Sequence, residues 1–178
     1  MRRARSIVLL STLVSALLCS GCGYRLAGAV SNPDLAHIRT IAVVPFDNRT
    51  DRPEIEQRVT EAVARELSRR GKYEVVTDPG RADAVLEGVV TTYHTSPVEF
   101  NSAGRETRTE ATLTIQATLR DTVSDEVLWN QSGLIFKEQF DASEEPGSGE
   151  YFDRESLALD FLARGVAGAL ATSMFEGF

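Results

Sequence analysis

Ala111-Thr112-Leu113-Thr114-Ile115-Gln116-Ala117-Thr118-Leu119-Arg120 is the stretch that decides the fold. Successive side chains of an extended strand point to opposite sides. Ala111, Leu113, Ile115, Ala117 and Leu119 therefore share one face, and Thr112, Thr114, Gln116, Thr118 and Arg120 the other. Strands buried on both faces read as continuous apolar runs. This clean alternation therefore predicts a sheet covered on one side only, its other side polar. The strand spans residues 105–121, against about 5–6 residues for an ordinary strand.

Outward from it the chain stays extended. Upstream, residues 84–93 form a strand that runs on irregularly towards Phe100, with Asn101-Ser102-Ala103-Gly104 as its turn. Downstream, a hairpin around residues 122–126 leads into a strand over 127–140. Pro146 and the glycines of 143–149 mark a flexible acidic loop. Earlier, Ile38, Ile41, Ala42, Val43, Val44 and Phe46 make a mostly buried strand that exits through Asp47-Asn48-Arg49-Thr50. Asp51, Pro53 and Glu54 read as a helix start. Ile55, Val59, Ala62, Val63 and Leu67 then fall on one helical face, and Gly71 ends the helix. Residues 73–77 make a short strand before the Asp78-Pro79-Gly80 turn. A final helix from about Asp153 is expected to bury Leu157, Phe161, Leu162, Val166, Ala169, Leu170 and Met174, with Gly165 and Gly168 letting it sit near the sheet.

The order strand, helix, run of strands, helix is that of an α+β two-layer sandwich. The sheet is mixed or antiparallel, of four to five strands, with two helices on one face. Val59, Val63, Leu67, Leu113, Ile115, Phe161 and Leu162 are the expected core between them. Trp129 is expected as a core or sheet-face anchor. No internal repeat or second domain is seen.

The first residues have a different character. Arg2, Arg3 and Arg5 precede the apolar run 7–18, which is followed by Cys19-Ser20-Gly21-Cys22. A basic start, a short apolar middle and a small-residue exit make a signal peptide. Ending on Gly-Cys makes it a lipoprotein signal, with Cys22 acylated (palmitate among its chains) and first in the mature protein. Residues 1–21 would be cleaved, 22–36 would be the lipidated terminus and tether, and 37–178 one domain. Gly23, rather than Asp, beside the acylated cysteine points to the outer membrane. Cys19 leaves with the signal and Cys22 carries lipid, so no disulfide is expected.

Loss of the three signal arginines takes the net charge from −7 to −10, a poor match for nucleic acid. No cofactor or metal is expected. His37 and His94 stand alone and read as surface histidines. No phosphate-binding glycine loop and no nucleophile–base set is present, so an enzyme is not expected. Arg105, Arg108 and, on the following strand, Lys137 are the candidate anion-binding residues, since guanidinium forks suit phosphates. The competing reading is sheet-edge charge that prevents aggregation. Arg105 and Arg108 should lie on opposite faces unless a bulge intervenes.

Gly21-Cys22-Gly23-Tyr24-Arg25-Leu26, Val44-Pro45-Phe46-Asp47-Asn48-Arg49-Thr50, Asp83-Ala84-Val85-Leu86-Glu87-Gly88, Glu126-Val127-Leu128-Trp129 and Glu176-Gly177-Phe178, in that order, resemble the LPS-assembly lipoprotein family LptE. The resemblance implies an outer-membrane lipoprotein on the periplasmic side. It would sit inside an LptD-like β-barrel, help that barrel assemble and aid delivery of lipopolysaccharide, itself a candidate ligand. It also implies lipopolysaccharide contacts by basic residues near the tip between two middle strands and before the last helix. Here the tip offers Arg105, whereas 143–149 is acidic. The Pro-Phe-Asp-Asn-Arg-Thr motif is shared with CsgG- and LpoB-type lipoproteins, which leaves a role in secretion or cell-wall synthase activation as the alternative.

Overall fold

The computed structural model describes residues 35–142 and 149–176. Cys22, the signal peptide and the 143–148 part of the expected acidic loop lie outside them. The elements are β1 (Thr40–Val43), β2 (Asp47–Asn48), α1 (Ile55–Arg70), β3 (Glu74–Val76), a 3₁₀ turn (Pro79–Arg81), β4 (Ala84–Phe100), β5 (Glu106–Asp121), β6 (Val127–Asp141) and α2 (Gly149–Glu176). The sheet runs β3-β1-β4-β5-β6, with two-residue β2 beside β4. β1 pairs in parallel with β3 and β4, and β2 with β4, whereas β4-β5-β6 is an antiparallel meander. The fold is thus α+β with a mixed sheet, as the pattern implied.

The polarity of β5 sets the layers. Leu113, Ile115 and Leu119 are wholly buried under the helices, while Gln116 is exposed on the other side. Thr112 departs from the expected polar face: it is buried, between His94 and Lys137 in the ladder. α1 buries the five residues its spacing selected, Ile55, Val59, Ala62, Val63 and Leu67. Its start differs. The residue before it is Glu54, in the left-handed region at φ 65° with no side-chain cap. Asn48 closes that corner instead: its Nδ2 donates to Arg52 O and Glu56 Oε2, both at 2.8 Å, and its Oδ1 accepts from Thr50 N and Oγ1.

α2 corrects the expected core. It begins at Gly149, and Leu157 and Phe161 are 59% and 55% exposed. The buried stripe is Ala158, Leu159, Leu162, Ala163, Val166, Ala167, Leu170, Ala171 and Met174. Apolar residues stand on more than one side of this helix, so its spacing alone does not choose a face. Close approach chooses it: small alanines let the helix settle on the sheet and α1, and the bulkier Leu157 and Phe161 turn outward. Gly165 helps, since a Cβ there would stand 3.1 Å from the Phe136 ring; Gly168 has open space and plays no such part. By composition α2 could cross a membrane, yet it packs along β6 and α1. Trp129 is buried and its indole N–H donates to Ser173 Oγ at 3.2 Å.

Phe46 is the keystone between sheet and helix. Its ring is 2% exposed and its backbone N–H donates to Thr60 Oγ1 of α1. The ring lies where a side chain at position 88 would be: a Cβ on Gly88 would come within 2.2 Å of Phe46 Cε2. The glycine in β4 is required by this close approach.

Candidate functional site

Among the described residues, the polar face of the sheet and the end of the β4–β5 hairpin are both uncovered. On the polar face, curvature makes a shallow depression of about 540 Å³, lined by Asp47, Glu87, Gln116, Thr118, Arg120 and Asn130 among others. Amides, hydroxyls and both signs of charge alternate across it. Such a surface suits wet contact with polar groups. At the hairpin end, β4 becomes irregular through register shifts at residues 97–100, and Val98 and Phe100 are exposed. The turn needs Gly104 at φ 73°, and Asn101 Oδ1 accepts from the backbone N–H groups of Ala103 and Arg105.

The three candidate anion-binding residues are not gathered into one site. Arg105 lies in the turn, before β5 begins, with its side chain exposed and in no ion pair among the described residues. Arg108 and Lys137 share the polar sheet face, four ladder rungs apart. Arg108 lies 3.9 Å from Glu99 Oε2 and 3.7 Å from Asp141 Oδ1; Lys137 Nζ lies 2.6 Å from Glu110 Oε1. The Lys137 ammonium, with help from the Gln139 amide, holds the Glu110 carboxyl below its ordinary range. Both cations are thus already partly neutralised.

Three networks gave no signal in the sequence. His37 is exposed, as read, but not alone: Nε2 lies 2.7 Å from Asp121 Oδ2. That bond, with the Ser124 and Val123 backbone N–H groups, holds the Asp121 carboxyl well below the usual carboxylate range. Asp83 accepts from the Arg39 and Thr40 N–H groups, which likewise lower it, so the start of β1 is tied to the start of β4. Glu155, 6% exposed on α2, accepts from the Tyr93 hydroxyl at 2.8 Å and lies 3.1 Å from Arg52 Nη1. Burial, and then Glu155, push the Tyr93 hydroxyl far up. The long-range partners in these networks are 43 to 103 residues apart in sequence, so no local spacing could reveal them. Among the described residues no group of three His, Cys, Asp or Glu could hold a metal ion.

The family model described as lipopolysaccharide-assembly, LptE, matches residues 38–173. The chain belongs to the LptE family. This is a family of outer-membrane-associated assembly lipoproteins, not of enzymes. No curated protein matches the chain. Solved structures show the same fold. A lipoprotein of Caulobacter crescentus CB15 matches at TM-score 0.53 and 12% identity, over 74% of this chain and 86% of its own. A Chlamydia trachomatis protein matches at 0.51 and 14%, over 76% and 97%. The PelC dodecamer subunit of Paraburkholderia phytofirmans matches at 0.50 and 20%, over 83% and 95%. At such identities the likeness carries the LptE-like fold and nothing finer.

Proposed function

We propose that this LptE-family protein is a lipid-anchored outer-membrane lipoprotein, facing the periplasm, that serves an LptD-like β-barrel as plug and assembly factor in lipopolysaccharide delivery. Residues 1–21 are its cleaved signal, Cys22 its lipidation site, 22–36 its tether and 37–178 its working domain. The observation that carries the reading is the long sheet with one face left polar and open. A barrel lumen is wet and polar, so its occupant meets the wall through polar groups and trapped water. Several acyl chains, each buried methylene contributing about 0.8 kcal/mol, hold such a protein at the membrane. Lipopolysaccharide phosphates fit Arg105, with Arg108 and Lys137 reached only by displacing their carboxylates.

Deletion of the gene tests the reading. It should deplete mature barrel and admit large hydrophobic antibiotics. Normal barrel levels with an intact permeability barrier would refute it and favour the CsgG- or LpoB-like role. Cys22→Ala should accumulate unprocessed or soluble protein; normal cleavage and outer-membrane fractionation would end the anchor assignment. Arg105→Glu should leave the complex with the barrel intact, since single rim charges contribute little to a large interface, and weaken lipopolysaccharide binding.

A further inference from the structure

Along its length α2 changes what it rests on. From residue 158 onward it buries the apolar stripe described above. Of residues 149–157, Glu155 alone is buried, while Phe152 and Leu157 are 50% and 59% exposed. A helix is ordinarily held to its sheet by an apolar stripe. This one begins on a carboxylate.

The sheet beneath is graded in the same direction. On the helix side of β5 the buried residues read, from the hairpin end to the other, Thr109, Ala111, Leu113, Ile115, Ala117 and Leu119. Thr109 Oγ1 donates to Glu106, and nearby Thr107 Oγ1 is buried with no hydrogen-bond partner among the described residues. The start of α2 lies over this polar end. Its Tyr151 ring meets Phe140 edge-on at 5.7 Å, and Arg154 Nη1 donates to Asp141 O at 3.3 Å. The other end of α2 lies over the apolar half, where Phe175 is 5.2 Å from Tyr73. Glu155 binds three elements together, since Tyr93 belongs to β4 and Arg52 to the loop before α1. A segment with few buried apolar contacts opens at lower free energy than the rest of its fold. A buried charge holds it only while both partners stay in place.

We propose that residues 149–157 form a strap that opens and recloses over the hairpin end of the sheet while the rest of α2 stays docked, with the contact of Glu155 to Arg52 and Tyr93 as its latch. The boundary falls at Ala158, where the apolar stripe begins. Opening parts Glu155 from both partners at once, so the strap moves as a unit and does not fray residue by residue. It uncovers Tyr93, Thr109 and Phe140, a strip of mixed polarity on the side of the sheet away from the open polar face. The device is independent of the barrel partner, because it is built wholly from contacts within this chain.

Native-state hydrogen exchange of the full chain, read residue by residue at low urea, tests the strap. The helical N–H groups of 153–157 bond to carbonyls within the strap. They should share one protection factor, at least a hundredfold below that of 166–170, and should depend more weakly on urea because their opening exposes less surface. Glu155→Gln keeps the shape of the latch without its charge. Arg52→Gln removes the same pairing from its partly solvated side. Each should quicken exchange at 153–157 at least tenfold in a protein that remains folded, whereas Ser156→Ala, half-buried next to the latch, should leave it near the wild-type rate. Equal protection and equal urea dependence at 153–157 and 166–170 would mean that α2 opens only as a whole, and would overturn the proposal. So would protection that climbs steadily from 153 onward and ignores both latch variants, which is the fraying of any helix end.

Discussion

Gly88→Ala adds one methyl group in β4, and the structure assigns it a large cost. The new Cβ would lie 2.2, 2.4 and 2.5 Å from three atoms of the Phe46 ring, far inside the 3.5–4.0 Å at which carbon atoms rest. Phe46 cannot swing away cheaply, because it is 2% exposed and its backbone is held to Thr60. If the ring leaves, the loss approaches that of truncating a buried Phe, about 3–5 kcal/mol. If the strand shifts instead, overpacking costs about 1–3 kcal/mol. Replacing a strand glycine returns roughly 0.5–1 kcal/mol of backbone entropy. Net of that return, a urea melt should show a loss of about 2–4.5 kcal/mol if the ring leaves and of up to about 2.5 kcal/mol if the strand shifts. Adding Gly88→Ala to Phe46→Ala should then cost almost nothing, since contacting sites are not additive. A variant as stable as wild type or more so, or additivity in the double variant, would refute the steric argument. Gly168→Ala, with open space around it, should stabilise by up to about 1 kcal/mol.

Leu113→Ala should cost about 2–5 kcal/mol by cavity formation, while Thr114→Ala, half-buried on the polar face, and Phe161→Ala, exposed, stay within about 1 kcal/mol; comparable losses in denaturant melts would mean that the faces are wrongly assigned. Glu155→Ala leaves Arg52 and the Tyr93 hydroxyl without their buried partner and should cost about 3 kcal/mol, near the low end for a broken buried pair because Arg52 is partly solvated. Equal melts for wild type and Glu155→Ala would contradict the network. Asp121 has a lowered folded pKa, so its contribution is complete above its ordinary value near 3.8 and is lost as the pH falls below it. Asp121→Asn should therefore flatten the acid limb of stability below about pH 4, and an unchanged acid limb would count against the His37 clasp.

What the sequence made legible is what period and punctuation carry. β5 alternates with period two, α1 keeps one apolar stripe at spacings of three and four, and Gly71 and Gly104 stand at positive φ where a helix and a hairpin end. Those features are local, so the element order and the layers followed from them. The spacing of α2 predicts Leu157 and Phe161 on the buried face because apolar residues stand on more than one side of it, and only contact with the sheet and α1 separates them from Ala158 and Leu162. The helix start was misplaced for a related reason: Asp51 and Glu54 have the right spacing, but Asn48, from before the turn, makes the bonds. At the candidate site the sequence supplied Arg105, Arg108 and Lys137 but not the carboxylates across the ladder that occupy two of them. Register, which decides who faces whom, is a property of paired strands and not of either one alone.

The Asn48 corner is also a place where chemical ageing would register. Its side-chain amide gives Nδ2 hydrogens to Arg52 O and Glu56 Oε2 and takes two hydrogens on Oδ1 from Thr50. Every atom is used according to its element. Deamidation would exchange one nitrogen for oxygen without changing shape, and that oxygen would face a carbonyl and a carboxylate. A one-dalton change would thus turn two attractions into two repulsions at the corner that sets the start of α1. Protein deamidated at Asn48 should lose this corner in proportion to the deamidated fraction, with its sheet unchanged.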